Sequence, residues 1–223
     1  MKKKKIKKKI KWKGILSLLL IILIIVFLVY KYMSLHITNI YVIGNKLLKE
    51  SYIIEKANLK DYPEIFKVST EQIKKELLKE PLIEKVEVKK SLFGKITINI
   101  TENKYLYNDS ANNVMLSNGK MLENKNISGI PTLINDATDV EEKFIKKLVL
   151  VSDDILMKIS EIEYKPSDLD KERFMFYMND GNYVYITLSK IELINSYNEI
   201  EPSLEGRKGI LYLDSGNHFE IKK

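Results

Sequence analysis

The chain has 223 residues, a formal net charge of +7, and no cysteine, which excludes disulfides and thiolate metal sites. Nine of its 37 basic residues lie within the first thirteen positions, which leaves 28 basic against 30 acidic residues in the rest of the chain. A nearly neutral body lacks the basic face that nucleic-acid phosphates require, so no nucleic-acid partner is expected.

The first predicted element is a membrane-spanning helix over residues 14–33. Residues 15–30 are apolar apart from one serine, and about 20 apolar residues suffice to cross the hydrocarbon core. The lysine-rich residues 1–13 predict a cytoplasmic tail, because basic residues stay on the cytoplasmic side. A cleaved signal peptide would need small residues after the apolar run, and none form such a pattern here. We expect an uncleaved anchor in membrane lipid, with everything from His36 onward outside.

Residues 36–104 predict a small domain with the order strand, helix, helix, strand, strand. Ser51 is expected to cap the first helix. Ser69, with Gln72 three residues later, has the spacing of a capping box at the second. Over residues 96–101, isoleucines alternate with polar residues, which predicts a half-buried strand. The segment therefore predicts an α+β domain.

Several apolar and special residues of this segment predict structure rather than a site. Phe66, Leu77 and Val88 are expected to lie together in the core. Gly44 is expected to supply a positive φ in a turn, and Pro81 to stop the second helix.

Residues 105–223 predict a second mixed α/β domain that is rich in antiparallel strands. Its strongest signal is a hairpin with a turn at residues 179–182, Asn-Asp-Gly-Asn, between two β-forming runs. One helix is expected over residues 140–156 and another over about 189–201. Strands are expected at residues 114–116, 121–122, 131–134, 159–164, 173–178, 183–188, 209–213 and 217–221.

No pattern in the sequence predicts catalysis. The two histidines, His36 and His218, have no nucleophile and acid arranged around them. Paired acids such as Asp153 and Asp154 lack EF-hand spacing, and no glycine-rich phosphate loop occurs. We therefore expect no enzyme, no metal and no cofactor. Protein-binding surfaces remain, in particular the edges of open sheets.

Four segments of the first outer domain carry a resemblance to a known family: residues 40–45, 65–66, 77–88 and 96–102. They resemble a POTRA domain, and more narrowly that of the FtsQ/DivIB cell-division family. The likeness extends in layout to nearly the whole chain, since that family has a short cytoplasmic tail, one signal anchor and a second, β-rich domain. The chain departs from the family at residues 90–93, where Lys-Ser-Leu-Phe replaces an Arg-x-x-Pro turn.

The resemblance implies a non-enzymatic scaffold of the bacterial division machinery, located in the cell membrane at the septum. It implies binding, outside the membrane, of FtsL-like and DivIC/FtsB-like single-pass proteins, with septal cell-wall synthases as further partners. It also implies a role in regulating septal peptidoglycan synthesis.

The family's partner-binding surface lies in the last strands of the β domain, which by position are residues 209–213 and also 217–221. The residues expected to bind a partner are Gly209, Ile210, Leu211, Tyr212 and Leu213. This run is unusually apolar for a chain terminus, where exposed edges are usually blunted with charge or proline. We expect a strand at or next to the recruiting edge. A central strand that only packs the sheet is the alternative.

A different function remains open, that of a POTRA-containing envelope protein acting as a chaperone-like binding module for secreted or membrane proteins. Proteins of that kind carry several POTRA units followed by a β-barrel. This chain has one such unit and no series of amphipathic strands long enough for a barrel. An anchored cell-wall hydrolase is disfavoured by the missing catalytic grouping.

Overall fold

A computed structural model describes residues 12–222, which divide into two compact units. Of the described residues, unit 1 comprises 12–80 and 85–101, and unit 2 comprises 81–84 and 102–222. Apart from Trp12 and Lys13, the predicted cytoplasmic tail lies outside the described residues.

The N-terminal helix α1 (Trp12–Met33) is a candidate membrane span. Its 22 residues correspond to a length of about 33 Å at the helical rise, close to the ~30 Å of hydrocarbon in a bilayer. None of its residues is buried in the protein. Within residues 12–222 it is the one helix long and apolar enough to cross a membrane, in agreement with the segment predicted from the sequence.

Beyond α1, unit 1 consists of a small α+β domain. Its elements are β1 (Asn39–Ile43), α2 (Glu50–Lys56), a 3₁₀ turn (Ile65–Lys67), α3 (Thr70–Leu77), β2 (Ile83–Lys90) and β3 (Lys95–Glu102). The strands form one sheet in the order β1-β3-β2, in which β1 runs parallel to β3. The predicted order of strand, helix, helix, strand and strand is confirmed.

One of the two predicted helix caps is confirmed. The Ser69 hydroxyl accepts a hydrogen bond from the Gln72 N–H, 3.4 Å away, at the start of α3. The expected cap by Ser51 is wrong, because α2 begins at Glu50 and its cap position is Lys49, whose side chain makes no capping bond. Glu50 instead places a negative charge at the positive end of the helix.

The core of unit 1 is aliphatic, and the expected burial of Phe66 is wrong. Phe66 is 45% exposed, and its ring packs edge-on against Tyr32 with centroids 4.9 Å apart. Its neighbour Ile65 is buried instead, since a 3₁₀ turn directs adjacent side chains to different sides. Leu77 is buried as expected, and Val88 is half-buried. The buried side chains are Ile37, Ile40, Ile53, Ala57, Leu59, Ile65, Ile73, Leu77, Val86, Ile96, Ile98 and Ile100.

The turn after β1 requires glycine, as predicted. Gly44 has a φ of 90°, and a Cβ there would lie 2.1 Å from the carbonyl oxygen of Ile100. No other residue fits this combination of backbone conformation and close approach.

Unit 2 is built on one nine-stranded sheet. Its elements are β4 (Tyr105–Asn108), β5 (Val114–Leu116), β6 (Met121–Leu122), β7 (Thr132–Leu133), α4 (Glu141–Leu148), α5 (Asp153–Leu156), β8 (Ile159–Tyr164), β9 (Arg173–Met178), β10 (Tyr183–Thr187), α6 (Tyr197–Ser203), β11 (Gly209–Tyr212) and β12 (His218–Ile221). The order across the sheet is β12-β11-β10-β9-β8-β7-β4-β5-β6, and five of the eight strand pairings are antiparallel. The predicted class, a mixed domain rich in antiparallel strands, is confirmed.

The two helices predicted in this unit are each interrupted. A 3₁₀ turn (Thr138–Val140) leads into α4, and a break separates α4 from α5. The other predicted helix consists of a 3₁₀ stretch (Leu188–Ser196) followed by α6. Strand β4 has no counterpart among the predicted strands.

The helices cover one face of this sheet and form an aromatic core with it. Phe144 of α4 stacks on Phe174 of β9 with ring centroids 4.5 Å apart, and Tyr107 of β4 lies 5.6 Å from Phe144. Phe176 and Tyr197 are also fully buried. Alternate residues of β9 and β10 face away from this core, which leaves the opposite face of the sheet to Arg173, Tyr177, Tyr183 and Tyr185.

Candidate protein-binding edge

The predicted partner-binding strand lies next to one edge of the nine-stranded sheet. β11 runs parallel to β10 on one side and antiparallel to β12 on the other. Among the described residues, β12 has no second strand beside it. β11 therefore uses the backbone groups of both its sides within the sheet, and β12 is the strand with a free side.

The five predicted binding residues differ in accessibility. Gly209, Leu211 and Leu213 are buried, and the two leucines belong to the core. Ile210 and Tyr212 are half-buried on the opposite face of the sheet. The structure thus presents two of the five side chains at a surface, and their contact with a partner stays a prediction.

The start of β11 is held by a buried asparagine. The Gly209 N–H donates to Asn182 Oδ1 at 2.9 Å, and Asn182 Nδ2 donates to Asp180 Oδ2 and to the Tyr197 hydroxyl. A Cβ at Gly209 would lie 2.0 Å from the carbonyl oxygen of Glu220 on β12. Glycine at this position therefore allows β12 to approach β11 closely.

Asp180 is the charged centre of that network. The Tyr197 hydroxyl donates to Asp180 Oδ2 at 2.8 Å, and the Asn182 N–H donates to Oδ1 at 2.9 Å. Burial opposes ionisation, but these hydrogen bonds and the Lys208 ammonium, 4.0 Å away, lower the pKa of Asp180 below its ordinary value. Burial and the Asp180 carboxylate raise the pKa of Tyr197, which keeps its hydroxyl protonated as a donor.

A row of stacked side chains crosses the outer face toward the edge. The Arg173 guanidinium lies 3.7 Å from the centroid of the Tyr185 ring, and Tyr185 stacks on Tyr212 at 5.4 Å. Tyr212 stacks in turn on His218 of β12, with centroids 4.6 Å apart and planes within 7°. Burial and the neighbouring Glu220 carboxylate raise the pKa of Tyr212. Because the stacked rings already restrict one another, a partner that binds this apolar surface loses little side-chain entropy. Aromatic side chains of this kind are enriched at protein interfaces.

The same row is braced by an ion pair that the sequence alone did not indicate. Arg173 Nε lies 2.7 Å from Asp214 Oδ2, and both side chains are largely shielded from solvent. Lys190 Nζ donates to the Asp214 carbonyl at 2.7 Å. The only sequence signal for this cluster is the alternation of Tyr183 and Tyr185 along β10, which marks an aromatic outer face.

The free side of β12 carries an identifiable set of backbone groups. The Lys222 N–H donates to the Lys208 carbonyl on the β11 side, at 3.0 Å. Since backbone groups alternate between the two sides of a strand, the N–H groups of Phe219 and Ile221 point away from β11. The Phe219 ring packs against the core, whereas Ile221 is 51% exposed.

The polar residues considered for chemistry occupy separate structural roles. His36 Nδ1 lies 3.1 Å from the Ser34 carbonyl, whereas His218 belongs to the stacked row. Asp153 pairs with a lysine at 2.8 Å, and Asp154 accepts from an asparagine amide at 2.6 Å. Within residues 12–222, no group of three or more His, Asp or Glu side chains is arranged to hold a metal ion.

Comparison with known proteins identifies relatives of both units. Residues 35–103 match the model of the FtsQ-type POTRA domain. The cell division protein DivIB of Bacillus subtilis (strain 168) is 29% identical over 197 residues, which cover 82% of this chain and 73% of that protein. The cell division protein DivIB of Bacillus cytotoxicus is 28% identical over 228 aligned positions, which cover 98% of this chain and 89% of that protein.

A solved structure is also similar, that of the major extracytoplasmic domain of the trans isomer of DivIB from Geobacillus stearothermophilus. It has 24% identity and a TM-score of 0.39, and the match covers 47% of this chain and 96% of that chain. The POTRA match lies where the structure has its strand, helix, helix, strand, strand domain. The DivIB relatives align with this domain and with most of unit 2. Residues 35–103 of this chain are thus similar to the FtsQ-type POTRA domain, and the chain as a whole is similar to the cell division protein DivIB over most of its length.

Proposed function

We propose that the chain is a non-enzymatic scaffold of bacterial cell division that binds FtsL-like and DivIC/FtsB-like single-pass proteins outside the membrane. Its relatives are named as cell division proteins. Through these partners, and through septal cell-wall synthases, the scaffold helps to regulate septal peptidoglycan synthesis. The observation that carries the proposal is the free side of β12 beside a row of stacked aromatic rings.

The binding mode that fits this edge is strand addition. An extended partner segment bonds to the outward backbone groups of Phe219 and Ile221 and becomes the next strand of the sheet. Its side chains reach the outer face beside Tyr212 and His218, which supplies the specificity that backbone bonds lack. In this mode the predicted residues Ile210 and Tyr212 support the edge from the adjacent strand.

The test removes one outward donor. Ile221→Pro deletes an N–H that points away from β11. A lost hydrogen bond of about 1–1.5 kcal/mol corresponds to roughly five- to tenfold weaker binding. The measurement is capture of co-expressed FtsL-like and DivIC-like proteins by the full chain in detergent, titrated to give a Kd.

Two variants control for side-chain loss and for proline itself. Ile221→Thr keeps the N–H and a β-branched side chain, and Met121→Pro places a proline on β6, the opposite edge of the sheet. Both should bind the partners as the parent chain does. Equal binding by Ile221→Pro and Ile221→Thr would rule out strand addition at β12.

Tyr212 tests the contribution of the outer face. Tyr212→Ala removes the central ring between Tyr185 and His218. If the partner packs there, truncation costs about 2 kcal/mol of binding, while the protein still unfolds cooperatively. Undiminished capture by a folded Tyr212→Ala chain would remove Tyr212 from the interface.

The proposed orientation places the chain as a type II protein, with its N-terminus in the cytoplasm and both units outside. The nine lysines of residues 1–13 support it, because basic residues resist transfer across the membrane. A reporter that is active only in the cytoplasm, fused after Lys223, should be silent. A strongly active fusion would show that the C-terminus lies in the cytoplasm and that the proposed orientation is wrong.

A further inference from the structure

The turn between β2 and β3 exposes two large apolar side chains. Leu92 is 69% exposed and Phe93 is 76% exposed. The turn itself is ordered by hydrogen bonds, since the Ser91 N–H donates to the Lys95 carbonyl at 2.8 Å and the Phe93 N–H donates to Ser91 Oγ at 3.3 Å. A single exposed apolar residue is unremarkable, but two adjacent ones at the tip of a rigid hairpin form a compact apolar projection.

One set of contacts ties this hairpin to the last turn of α1. Tyr32, in that turn, packs against Phe66. The Lys90 ammonium lies 5.9 Å from the centroid of the Phe66 ring and donates to the carbonyls of Ile65 and Val68, both at 3.0 Å. Lys90 directly precedes the 91–94 turn. The end of α1 and the base of the hairpin are therefore joined through one aromatic ring.

A second connection runs along the chain. The Thr38 N–H donates to the Gly94 carbonyl at 2.8 Å. A Cβ at Gly94 would lie 2.7 Å from the carbonyl oxygen of His36, so the turn packs directly on the segment that leaves α1. Four residues lie between Met33 and Thr38, so the Cα atoms of these two residues are at most about 18 Å apart. The hairpin tip thus belongs to the region close to the outer end of α1.

The charge around the turn matches a phospholipid surface. Lys89, Lys90 and Lys95 flank it, and no acidic residue occurs between Glu87 and Glu102. Aromatic and leucine side chains next to lysines are the composition of interfacial membrane contacts, in which rings enter the headgroup layer and ammonium groups meet lipid phosphates.

We propose that Leu92 and Phe93 insert into the outer-leaflet interface of the membrane that α1 crosses, with Lys89 and Lys95 directed to anionic lipid phosphates. The occupant of this apolar projection is the bilayer surface. The contact gives unit 1 a second attachment besides α1 and restrains its rotation about the helix axis. The inference rests on α1 being the proposed membrane anchor and is independent of the division partners.

The test places a fluorescent reporter at the tip. The full chain is reconstituted in vesicles of phosphatidylcholine and phosphatidylglycerol, with Trp12→Phe removing the one native tryptophan. In that background, Phe93→Trp should emit at shorter wavelength than a tryptophan in water. Lipids brominated near the headgroup end of their acyl chains should quench it strongly. Because Phe93 is exposed, we expect this substitution to leave the fold intact.

Two matched variants define the range of the signal. Leu169→Trp, at a loop position of unit 2 that is 100% exposed, should keep a water-like emission and should be quenched several-fold less than Phe93→Trp. Phe27→Trp, six residues before the end of α1 and thus about 9 Å inside the helix, should be quenched better by lipids brominated deep in the chain than by lipids brominated near the headgroup. Together these two variants give the emission and quenching expected of a tryptophan in water and of a tryptophan inside the membrane.

Each other result overturns the inference in a distinguishable way. Water-like, unquenched emission from Phe93→Trp together with quenched Phe27→Trp means that α1 is the anchor and the hairpin stays in water. Blue-shifted but unquenched emission means that protein, such as a second copy of the chain, covers the turn. Absence of quenching in Phe27→Trp means that α1 does not cross the membrane, and the proposed contact between the hairpin and the membrane is then wrong as well.

Discussion

The two units bury different kinds of side chain. Among the described residues, the buried set of unit 1 is entirely aliphatic, and its aromatic residues, such as Phe66 and Phe93, lie at the surface. Unit 2 buries three phenylalanines and two tyrosines against its sheet. Aromatic residues near α1 are thus available to meet other surfaces, whereas those of unit 2 hold the sheet to its helices.

The difference has an electrostatic consequence. A buried tyrosine brings a hydroxyl into the core, and that hydroxyl must find a partner. Tyr107 donates to Glu141 Oε1 at 3.2 Å, and Tyr197 donates to Asp180. The aliphatic core of unit 1 imposes no such requirement. Unit 2 should therefore respond to changes in side-chain volume and in pH, and unit 1 mainly to changes in volume.

The largest expected effect comes from the aromatic core. Phe174→Ala removes a fully buried ring that stacks on Phe144 and lies 5.1 Å from Tyr164. The cavity should lower the free energy of unfolding of unit 2 by about 3–5 kcal/mol. Urea unfolding of the full chain in detergent, followed by amide hydrogen exchange, measures the loss and localises it. Loss of protection in unit 1 rather than in unit 2 would contradict the assignment.

Two neighbours in unit 1 provide the sharpest contrast within that unit. Ile65→Ala empties a buried position and should cost about 2–5 kcal/mol. Phe66→Ala removes the larger side chain but should cost about 1 kcal/mol or less, since it loses a partly exposed ring contact with Tyr32. The readout is urea unfolding followed by exchange of unit 1 amides. A cost for Phe66→Ala above that for Ile65→Ala would mean that the ring is in the core after all.

The pattern of residues in the sequence predicted the features of the fold that depend on neighbours close in the chain. The alternation of Ile96, Ile98 and Ile100 places all three in the core of unit 1, because strand side chains alternate between faces. The Ser69 cap likewise depends on a contact three residues away. For Phe66 no such periodicity exists, since a three-residue 3₁₀ turn has no repeated face, and size and apolarity alone favoured the wrong neighbour.

The features that the sequence did not predict depend on contacts between residues far apart in the chain. The break between α4 and α5 is held by Asn195, whose Oδ1 accepts from the Ser152 N–H at 2.9 Å and whose Nδ2 donates to the Leu150 carbonyl at 3.0 Å. At the candidate site, the composition of β11 indicates a strand but not its neighbours. Its place beside β10 follows from the connection through α6, and this placement gives β12 the free side.

The next effect concerns the close approach at the candidate edge. Gly209→Ala puts a methyl group 2.0 Å from the Glu220 carbonyl oxygen, so β12 must move. The expected cost is about 1–3 kcal/mol, concentrated in faster hydrogen exchange of β12. Gly206→Ala is the control, because its φ of 77° makes alanine strained while nothing lies within 4 Å of the new Cβ. Equal exchange of β12 in both variants would show that Gly209 does not set the strand spacing.

The smallest expected effect is a pH dependence of the stability of unit 2. It arises from Asp180, the carboxylate that accepts a hydrogen bond from the buried Tyr197 hydroxyl. Hydrogen bonds from Asn182 and Tyr197 outweigh burial and hold the pKa of Asp180 below the value of about 3.9 found in unfolded chains. A carboxylate with a depressed pKa stabilises the fold fully above its unfolded pKa, and this contribution is lost as the pH falls through the folded pKa. Asp180→Asn should therefore be less stable than the parent chain at pH 7.

That difference should begin to narrow below about pH 4, where Asp180 of the unfolded chain takes up its proton. It should close as the pH falls further, through the lower pKa of folded Asp180, because the protonated side chain resembles the amide. Urea unfolding of both chains at a series of pH values measures it, and the other carboxylates cancel because they titrate in both. Asp168→Asn, at an exposed loop acid 3.8 Å from its lysine, should change stability by no more than about 0.5 kcal/mol at any pH. A gap between parent and Asp180→Asn that stays constant down to the acid limit of folding would assign the effect to hydrogen-bond geometry alone. The charge of Asp180 would then have no part in stabilising the aromatic core.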